Sequence, residues 1–317
     1  MAAVSTLLWA VMHPASSTAA QAHGWQTVAL PTGNGSLWYA DDVGFLDARH
    51  GWVFGYVTPK QGGYVQGTLW ITDDGGRSWL RQSRPSAAFT TYVAGTFADV
   101  RHGWLALRDH GVVRILATSD GGRHWRQQAS LLGDALGMTA VDRNHAWIYG
   151  NYGFVASTVN GRTWTSLSAP RGVDFPTGLQ FLTARRGWLT GSNGRAYSTT
   201  DGGHTWTALG RPGWLEATHF VDAATGWAAT NNGLYGTTDG GRTWHRVSTT
   251  PNLLSIDFSG RNHGWAVGAD GVAVHTTDSG RTWQRDDAHT FVLEKVSSTG
   301  CGDAWAVGTL IVHHGCH

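Results

Sequence analysis

Thr237-Thr238-Asp239-Gly240-Gly241-Arg242-Thr243-Trp244 is one of several near-copies of a single stretch that recurs along the whole chain. Further copies occupy residues 72–79, 118–125, 199–206 and 276–283, with acids Asp74, Asp120, Asp201 and Asp278. A degenerate copy runs over 157–164, where alignment on Trp164 puts Val159 in the acid's place. Recurrence at a fixed period decides the architecture before any local propensity does. Each copy reads as a hairpin turn. Asp-Gly or Asp-Ser supplies positive-φ positions, and the carboxylate can accept backbone N–H groups across the turn. The closing Trp then opens a strand and is large enough to fill space between neighbouring sheets.

A second signal interleaves with the first. Gly-Trp or Ala-Trp stands at Trp52, Trp104, Trp147, Trp188, Trp227, Trp265 and Trp305. Seven residues before each come Phe45, Phe97, Ala140, Phe181, Phe220, Phe258 and Ser298, so an apolar strand is expected before each one at a constant offset. The unit is strand, turn, Gly-Trp strand, turn, third strand, Asp turn and Trp-led fourth strand, which is the size of a propeller blade of about 40 residues.

Seven Gly-Trp strands against six Asp-type turns leave the last blade one strand short. Gly24-Trp25-Gln26-Thr27-Val28-Ala29-Leu30 has the look of the missing fourth strand. The expectation is an all-β, seven-bladed β-propeller of four-stranded antiparallel blades, closed by the N-terminal strand joining the C-terminal blade. Such closure covers an exposed edge and ties the chain ends together. Residues 23–317 then form one domain, with no linker or helical period interrupting the repeats.

Residues 1–22 stand apart. Ala2 to Met12 is apolar but short for a membrane span, and Ala20-Gln21-Ala22 offers a small-x-small cleavage site, so the segment reads as an export signal. The chain is therefore expected outside the cytoplasm, extracellular or periplasmic. Cys301 and Cys316 flank Gly308-Thr309 symmetrically, as a disulfide across a hairpin would require. That bond would close a loop worth roughly 3 kcal/mol in the chain-entropy treatment. The rival use of Cys316, a metal site with His313, His314 and His317, lacks a recognised ligand spacing. No metal or cofactor is expected.

The net charge of +1 argues against bulk nucleic-acid binding, which needs a basic excess. The arginines are nevertheless placed regularly. Arg77, Arg123, Arg162, Arg242 and Arg281, with His204, stand two before the turn Trp, and Arg49, Arg101, Arg185 and Arg261 precede Gly-Trp. All belong to turns on one face. They are either solvated turn residues or a docking surface for an acidic partner.

The first strand of each blade lines the central channel. Eight residues before the Gly-Trp tryptophans are Gly44, Thr96, Thr139, Gln180, His219, Asp257 and Ser297, out of phase with the Phe positions and so turned to the channel. Asp42 and Lys295 are two of the residues ten before. Eleven before stand Asp41, Glu216 and Glu294, which places both glutamates of the chain at equivalent sites. With Lys295, Tyr92 and the loop aromatics Trp38 and Trp214 they define a channel mouth on the face opposite the Asp turns. Trp38, Asp41, Trp214, Glu216, His219, Asp257, Glu294 and Lys295 are the candidate binding residues, for a protein, a glycan or a cationic ligand.

The turn motif Ser/Thr-x-Asp-x-Gly-x-Thr-Trp resembles the Asp-box (BNR) repeats of sialidases, sortilin-type receptors and xyloglucan-cleaving glycosidases. With the Gly-Trp-Ala-x-Gly strands and seven units, residues 24–316 most resemble the photosystem II assembly and stability factor family and its relatives in non-photosynthetic bacteria. That resemblance implies a non-catalytic, exported or lumenal propeller that binds a membrane-protein intermediate during assembly, and the chain is expected to act as a monomer. Sialidase chemistry does not carry over, because Arg114-Ile115-Leu116 is the nearest fragment to the Phe-Arg-Ile-Pro motif and is out of position. A two-carboxylate glycosidase drawing on Asp41, Glu216, Asp257 and Glu294 is the alternative, since such an enzyme needs two acids flanking a cleft.

Overall fold

The computed structural model describes residues 24–60, 66–82, 92–191, 194–288, 290, 292–300 and 302–315. Within them 28 strands form seven antiparallel sheets of four. β1 (Trp25–Thr27) stands alone at the start. Blade 1 is β2 (Gly35–Phe45), β3 (Gly51–Pro59), β4 (Gln66–Thr72) and β5 (Leu80–Arg81); blade 2 is β6 (Tyr92–Phe97), β7 (Gly103–Asp109), β8 (Val112–Thr118) and β9 (Arg126–Leu132). Blade 3 is β10 (Asp134–Asp142), β11 (His145–Asn151), β12 (Phe154–Thr158) and β13 (Thr165–Ser168); blade 4 is β14 (Pro176–Phe181), β15 (Gly187–Gly191), β16 (Arg195–Thr199) and β17 (Thr207–Ala208). Blade 5 is β18 (Leu215–Phe220), β19 (Gly226–Thr230), β20 (Gly233–Thr237) and β21 (His245–Ser248); blade 6 is β22 (Leu253–Ser259), β23 (His263–Gly268), β24 (Ala273–Thr276) and β25 (Gln284–Arg285). Blade 7 holds β26 (Leu293–Gly300), β27 (Asp303–Gly308) and β28 (Ile311–His314), and β1 pairs with β28 as its fourth strand, Gln26 opposite His313. The first strands of successive blades touch one another all the way round, including β26 with β2, so the ring is closed.

Aromatic rings join the blades. In blades 4, 5 and 6 the Phe seven before Gly-Trp stacks flat on the Gly-Trp indole of the preceding blade. The pairs are Trp147 with Phe181 at 3.7 Å, Trp188 with Phe220 at 4.0 Å and Trp227 with Phe258 at 3.8 Å. The turn Trp of the same blade meets that Phe edge-on, as Trp206, Trp244 and Trp283 do. Offset-stacked and edge-to-face contacts are the favoured arrangements of aromatic quadrupoles, so each junction is geometrically specific as well as apolar.

The Asp turns repeat atom for atom. In blade 5 Thr237 Oγ1 donates to Asp239 Oδ1 (2.9 Å) and accepts from Gly241 N (2.9 Å), while Thr243 N and Oγ1 donate to the two carboxylate oxygens (2.9 and 2.7 Å). The same network surrounds Asp74, Asp120, Asp201 and Asp278, with His124 replacing the hydroxyl residue in blade 2. Gly240 and Gly241 have φ of 77° and 90°, which explains the paired glycines. Blade 3 differs from the alignment. Thr158 and Asn160 take the Thr and Asp roles, Asn160 Oδ1 accepting from Thr163 N at 2.9 Å, because this turn is one residue shorter. Val159 is an exposed turn residue and does not replace the acid.

Candidate functional site

Pairing of the first and second strands slips by one residue in every blade. The extra residue is Asp41, Val93, Leu136, Thr177, Glu216, Leu254 or Glu294, with second slips at Trp38 in blade 1, Val141 in blade 3 and Thr299 in blade 7. These are the residues eleven before each Gly-Trp tryptophan. A β-bulge leaves its extra residue out of the ladder and re-aims it. Seven bulges at the same depth therefore set a ring of residues around the channel mouth. Three are acids, on blades 7, 1 and 5, and the other four are aliphatic or Thr.

Below the bulges, blades 7, 1 and 3 bring together a half-buried polar cluster. Tyr56 donates to Asp41 at 3.4 Å, and Tyr39 hydrogen-bonds Glu294. Burial pushes the Asp41 carboxyl up, the Glu294 charge adds to the rise, and the Tyr56 hydrogen bond and Lys295 oppose it. Burial pushes Asp42 up to about 6 against the pull of Lys295. The Lys295 ammonium is held above its ordinary value by Tyr149, which outweighs burial, with Asp42, Glu294 and Asp41 adding to the rise. Tyr149 comes from the second strand of blade 3 and reaches inward because Gly137 beside it has no Cβ, which would collide with the phenol. Burial raises the Tyr39, Tyr56 and Tyr149 phenols.

Glu216 stands apart on blade 5, its carboxyl pushed up by burial alone. Beside it Trp214 is exposed, and Phe175 and Tyr152, themselves in ring contact at 6.2 Å, continue an exposed apolar arc over blades 4 and 3 to Leu136 and Leu132. All five lie at the starts of first strands, the ends of fourth strands or the turn between second and third strands, hence on the mouth face. Asp41, Glu294 and Lys295 thus converge, Glu216 and Trp214 form a second group, and the side chain of Trp38 lies outside the described residues.

His219 and Asp257 do something else. They bond each other at 2.9 Å, and Asp257 Oδ2 accepts from Ser298 N of the next blade at 2.7 Å. Gln180 grips Phe220 N and O (2.8 and 3.0 Å), and Ser297 Oγ accepts from Phe45 N (3.1 Å), from the same position in their blades. Gln180, His219, Asp257 and Ser297, four of the seven residues eight before Gly-Trp, thus stitch first strand to first strand. The turn arginines are likewise used locally: Arg49, Arg101 and Arg185 each donate Nε to a carbonyl in the Asp turn of their own blade. His313 and His314 bond Asp303 and Asp286 at 2.6 and 2.8 Å, and Cys301, Cys316 and His317 lie outside the described residues, as does the segment 1–22. No group of three or more potential metal ligands occurs among the described residues.

Sequence reading missed Tyr39, Tyr56 and Tyr149. Gly137, like Gly178 of blade 4 a glycine where the other five blades carry Ala, Ser or a charged residue, was the signal for Tyr149. Leu136, Tyr152 and Phe175 were missed because an exposed apolar residue has the same letter as a buried one.

The family model described as "Photosynthesis system II assembly factor YCF48" matches residues 89–212 and 213–291. The chain belongs to this YCF48 family. The architecture is similar to that of a solved YCF48 bound to a D1 peptide, with a TM-score of 0.72, 19% identity, and coverage of 94% of this chain and 97% of that one. It is also similar to YCF48 from Cyanidioschyzon merolae, with a TM-score of 0.67, 20% identity, and coverage of 92% and 98%. Dispase autolysis-inducing protein from Streptomyces mobaraensis is 29% identical over 149 residues, 44% of this chain and 39% of that protein. The match thus spans well under half the length of that curated relative.

Proposed function

We propose that this YCF48-family propeller is an exported, non-catalytic binding protein that holds a segment of a protein partner across its channel mouth, as an assembly or scaffold factor does. The observation that carries it is the bulge ring, which sets Asp41, Glu216 and Glu294 around one opening and continues into Trp214, Phe175 and Tyr152. Family membership and the similar YCF48 seen with a D1 peptide support it. Carboxylates beside exposed aromatic faces recognise a Lys- or Arg-bearing segment with apolar neighbours, through charge and cation–π contact. A membrane-protein assembly intermediate is the partner this reading favours, with the propeller acting as a monomer on the outer side of the membrane.

The test is capture from native membranes by the mature chain and by a triple variant, Asp41→Asn, Glu216→Gln and Glu294→Gln, beside a polysaccharide panel. Retention of a membrane protein by the wild type and its loss in the variant are expected. If nothing is retained and glycan cleavage is abolished by the triple variant, the chain is a glycoside hydrolase.

A further inference from the structure

Two blades lack the Phe that seals the junction with the preceding blade. In blade 7, where Ser298 stands, Trp25 and His314 pack on Trp265 at 4.9 and 4.8 Å and fill the gap. In blade 3, where Ala140 stands, the junction stays open. Trp104 and Trp164 approach edge-on at 6.4 Å, and both indoles donate to Gln128 Oε1, at 3.2 and 3.1 Å. Gln128 is the bulged residue of β9, sent inward, and its Nε2 donates to Gly161 O at 2.7 Å. The result is a cleft of about 1260 Å³ between blades 2 and 3, against about 490 Å³ at the equivalent place between blades 1 and 2, where Phe97 is present.

The walls of this cleft are cationic. Arg126, Arg143 and Arg162 are exposed and make no ion pair among the described residues, and Asp120, the carboxylate in the lining, is engaged by Thr118 and His124. One wall is also an open strand edge. β9 has seven residues, whereas the outermost strands of the other blades have two to four, and no described strand pairs with its outer edge. Propeller edges are ordinarily kept short because an unpaired edge is a template for another strand. β9 has neither Lys nor Pro to blunt it and ends at Leu132, which is 85% exposed.

We infer that the outer edge of β9 and the arginine-walled cleft beside it form a second peptide site, which takes an extended acidic segment of a partner by strand addition. Backbone pairing along β9 supplies the register, as in other edge-adding complexes. Carboxylates of the segment meet Arg126, Arg143 and Arg162, and an apolar end lies along Leu132. At about 3.3 Å per residue the strand accommodates a segment of about seven residues. The arginine-walled cleft lies among the Asp turns on the face opposite the mouth, and only the Leu132 end of β9 reaches the mouth face.

The experiment uses the folded chain and fluorescein-labelled decapeptides of alternating Glu and Val, alternating Lys and Val, and Glu and Val with alternate Val replaced by Pro. Anisotropy should show the Glu-Val peptide binding at least tenfold more tightly than either other peptide. Arg126→Glu with Arg162→Glu should reverse the preference toward the Lys-Val peptide. Hydrogen exchange of amides in 126–132 should slow on binding. Equal binding of the Pro-containing peptide reduces the contact to charge alone and overturns strand addition. Loss of binding in the mouth triple variant but not in the cleft variant overturns the location. Tighter binding of an oligonucleotide of equal charge overturns the ligand class. Because both arginines are exposed turn and edge residues, an unchanged melting temperature is the control for folding.

Discussion

Replacing Phe220 by Ala removes the piece on which the junction between blades 4 and 5 is built. The ring is fully buried, lies flat on Trp188 at 4.0 Å and is met edge-on by Trp244 at 6.0 Å. Gly226 beside it has no room for a Cβ, so the backbone packs directly on the ring and cannot collapse far into the space it leaves. A Phe-to-Ala change in a packed core costs about 3–5 kcal/mol, and poor collapse puts this site near the upper half of that range, about 4 kcal/mol. Against a typical stability of about 5–15 kcal/mol this is a large fraction. The backbone bonds from Gln180 to Phe220 N and O survive the change, so the loss isolates the ring from the stitching. The assay is urea unfolding followed by tryptophan fluorescence. The expected result is a lowered midpoint with an unchanged slope, because the folded state stays compact. A loss below about 1.5 kcal/mol would refute the reasoning that the stacked triads hold the blades together, since the change would then cost no more than a well-tolerated repacking.

Further outcomes follow from the same structure. Asp74, Asp120, Asp239 and Asp278 are held at about 2, below the usual carboxyl value of about 4. Their stabilisation is whole above that usual value and is lost as pH falls through about 2. Asp42 has the opposite sign: held up at about 6, its contribution is whole below its unfolded value and is lost as pH rises through about 6. Melting temperature against pH should therefore lose its Asp42-dependent slope between about 4 and 6 in Asp42→Asn while keeping the acid fall, and identical profiles would contradict the burial of Asp42. Gly137→Val should drive Tyr149 out of the channel, read as a fall of the tyrosine's spectrophotometric pKa toward the ordinary value of about 10; an unmoved titration contradicts the packing. Trp25→Ala removes a half-buried ring that donates to Asp286 O at 2.8 Å and packs on Trp265. It should cost about 2 kcal/mol, somewhat less than a fully buried ring, and a neutral result in urea unfolding would mean that β1 adds nothing to closure.

The letters carried the ring because each blade repeats its constraints. A Gly-Trp, a Phe seven earlier and a Thr-x-Asp turn must recur wherever the same junction is built, so the seven blades and the joining of β1 to β28 were legible. Position eleven before Gly-Trp was legible as a shared depth, which is why Asp41, Glu216 and Glu294 were found together. That each is a bulge was not, since a bulge is a slip in pairing and leaves no residue signature here: Asp, Val, Leu, Thr and Glu all occupy it. The shortened turn of blade 3 misled the alignment because one missing residue moves Asn160 out of register with the acid while Trp164 holds its place. His219 and Asp257 point toward the channel as the two-residue alternation requires, but alternation gives direction and not partners, and their partners are the neighbouring strands. Tyr149 reaches a site in another blade, a contact no period within one blade encodes.

The account stands or falls on whether protein meets the mouth. A photo-crosslinking amino acid placed at Trp214, and in a second chain at Arg242 on the opposite face, tests this in the organism's own membranes. The account predicts crosslinks from position 214 to one Lys- or Arg-bearing segment of a membrane protein, mapped by mass spectrometry and lost when Asp41, Glu216 and Glu294 become Asn, Gln and Gln. Crosslinks from position 242 alone, or none from 214 while glycan is cleaved, would contradict it.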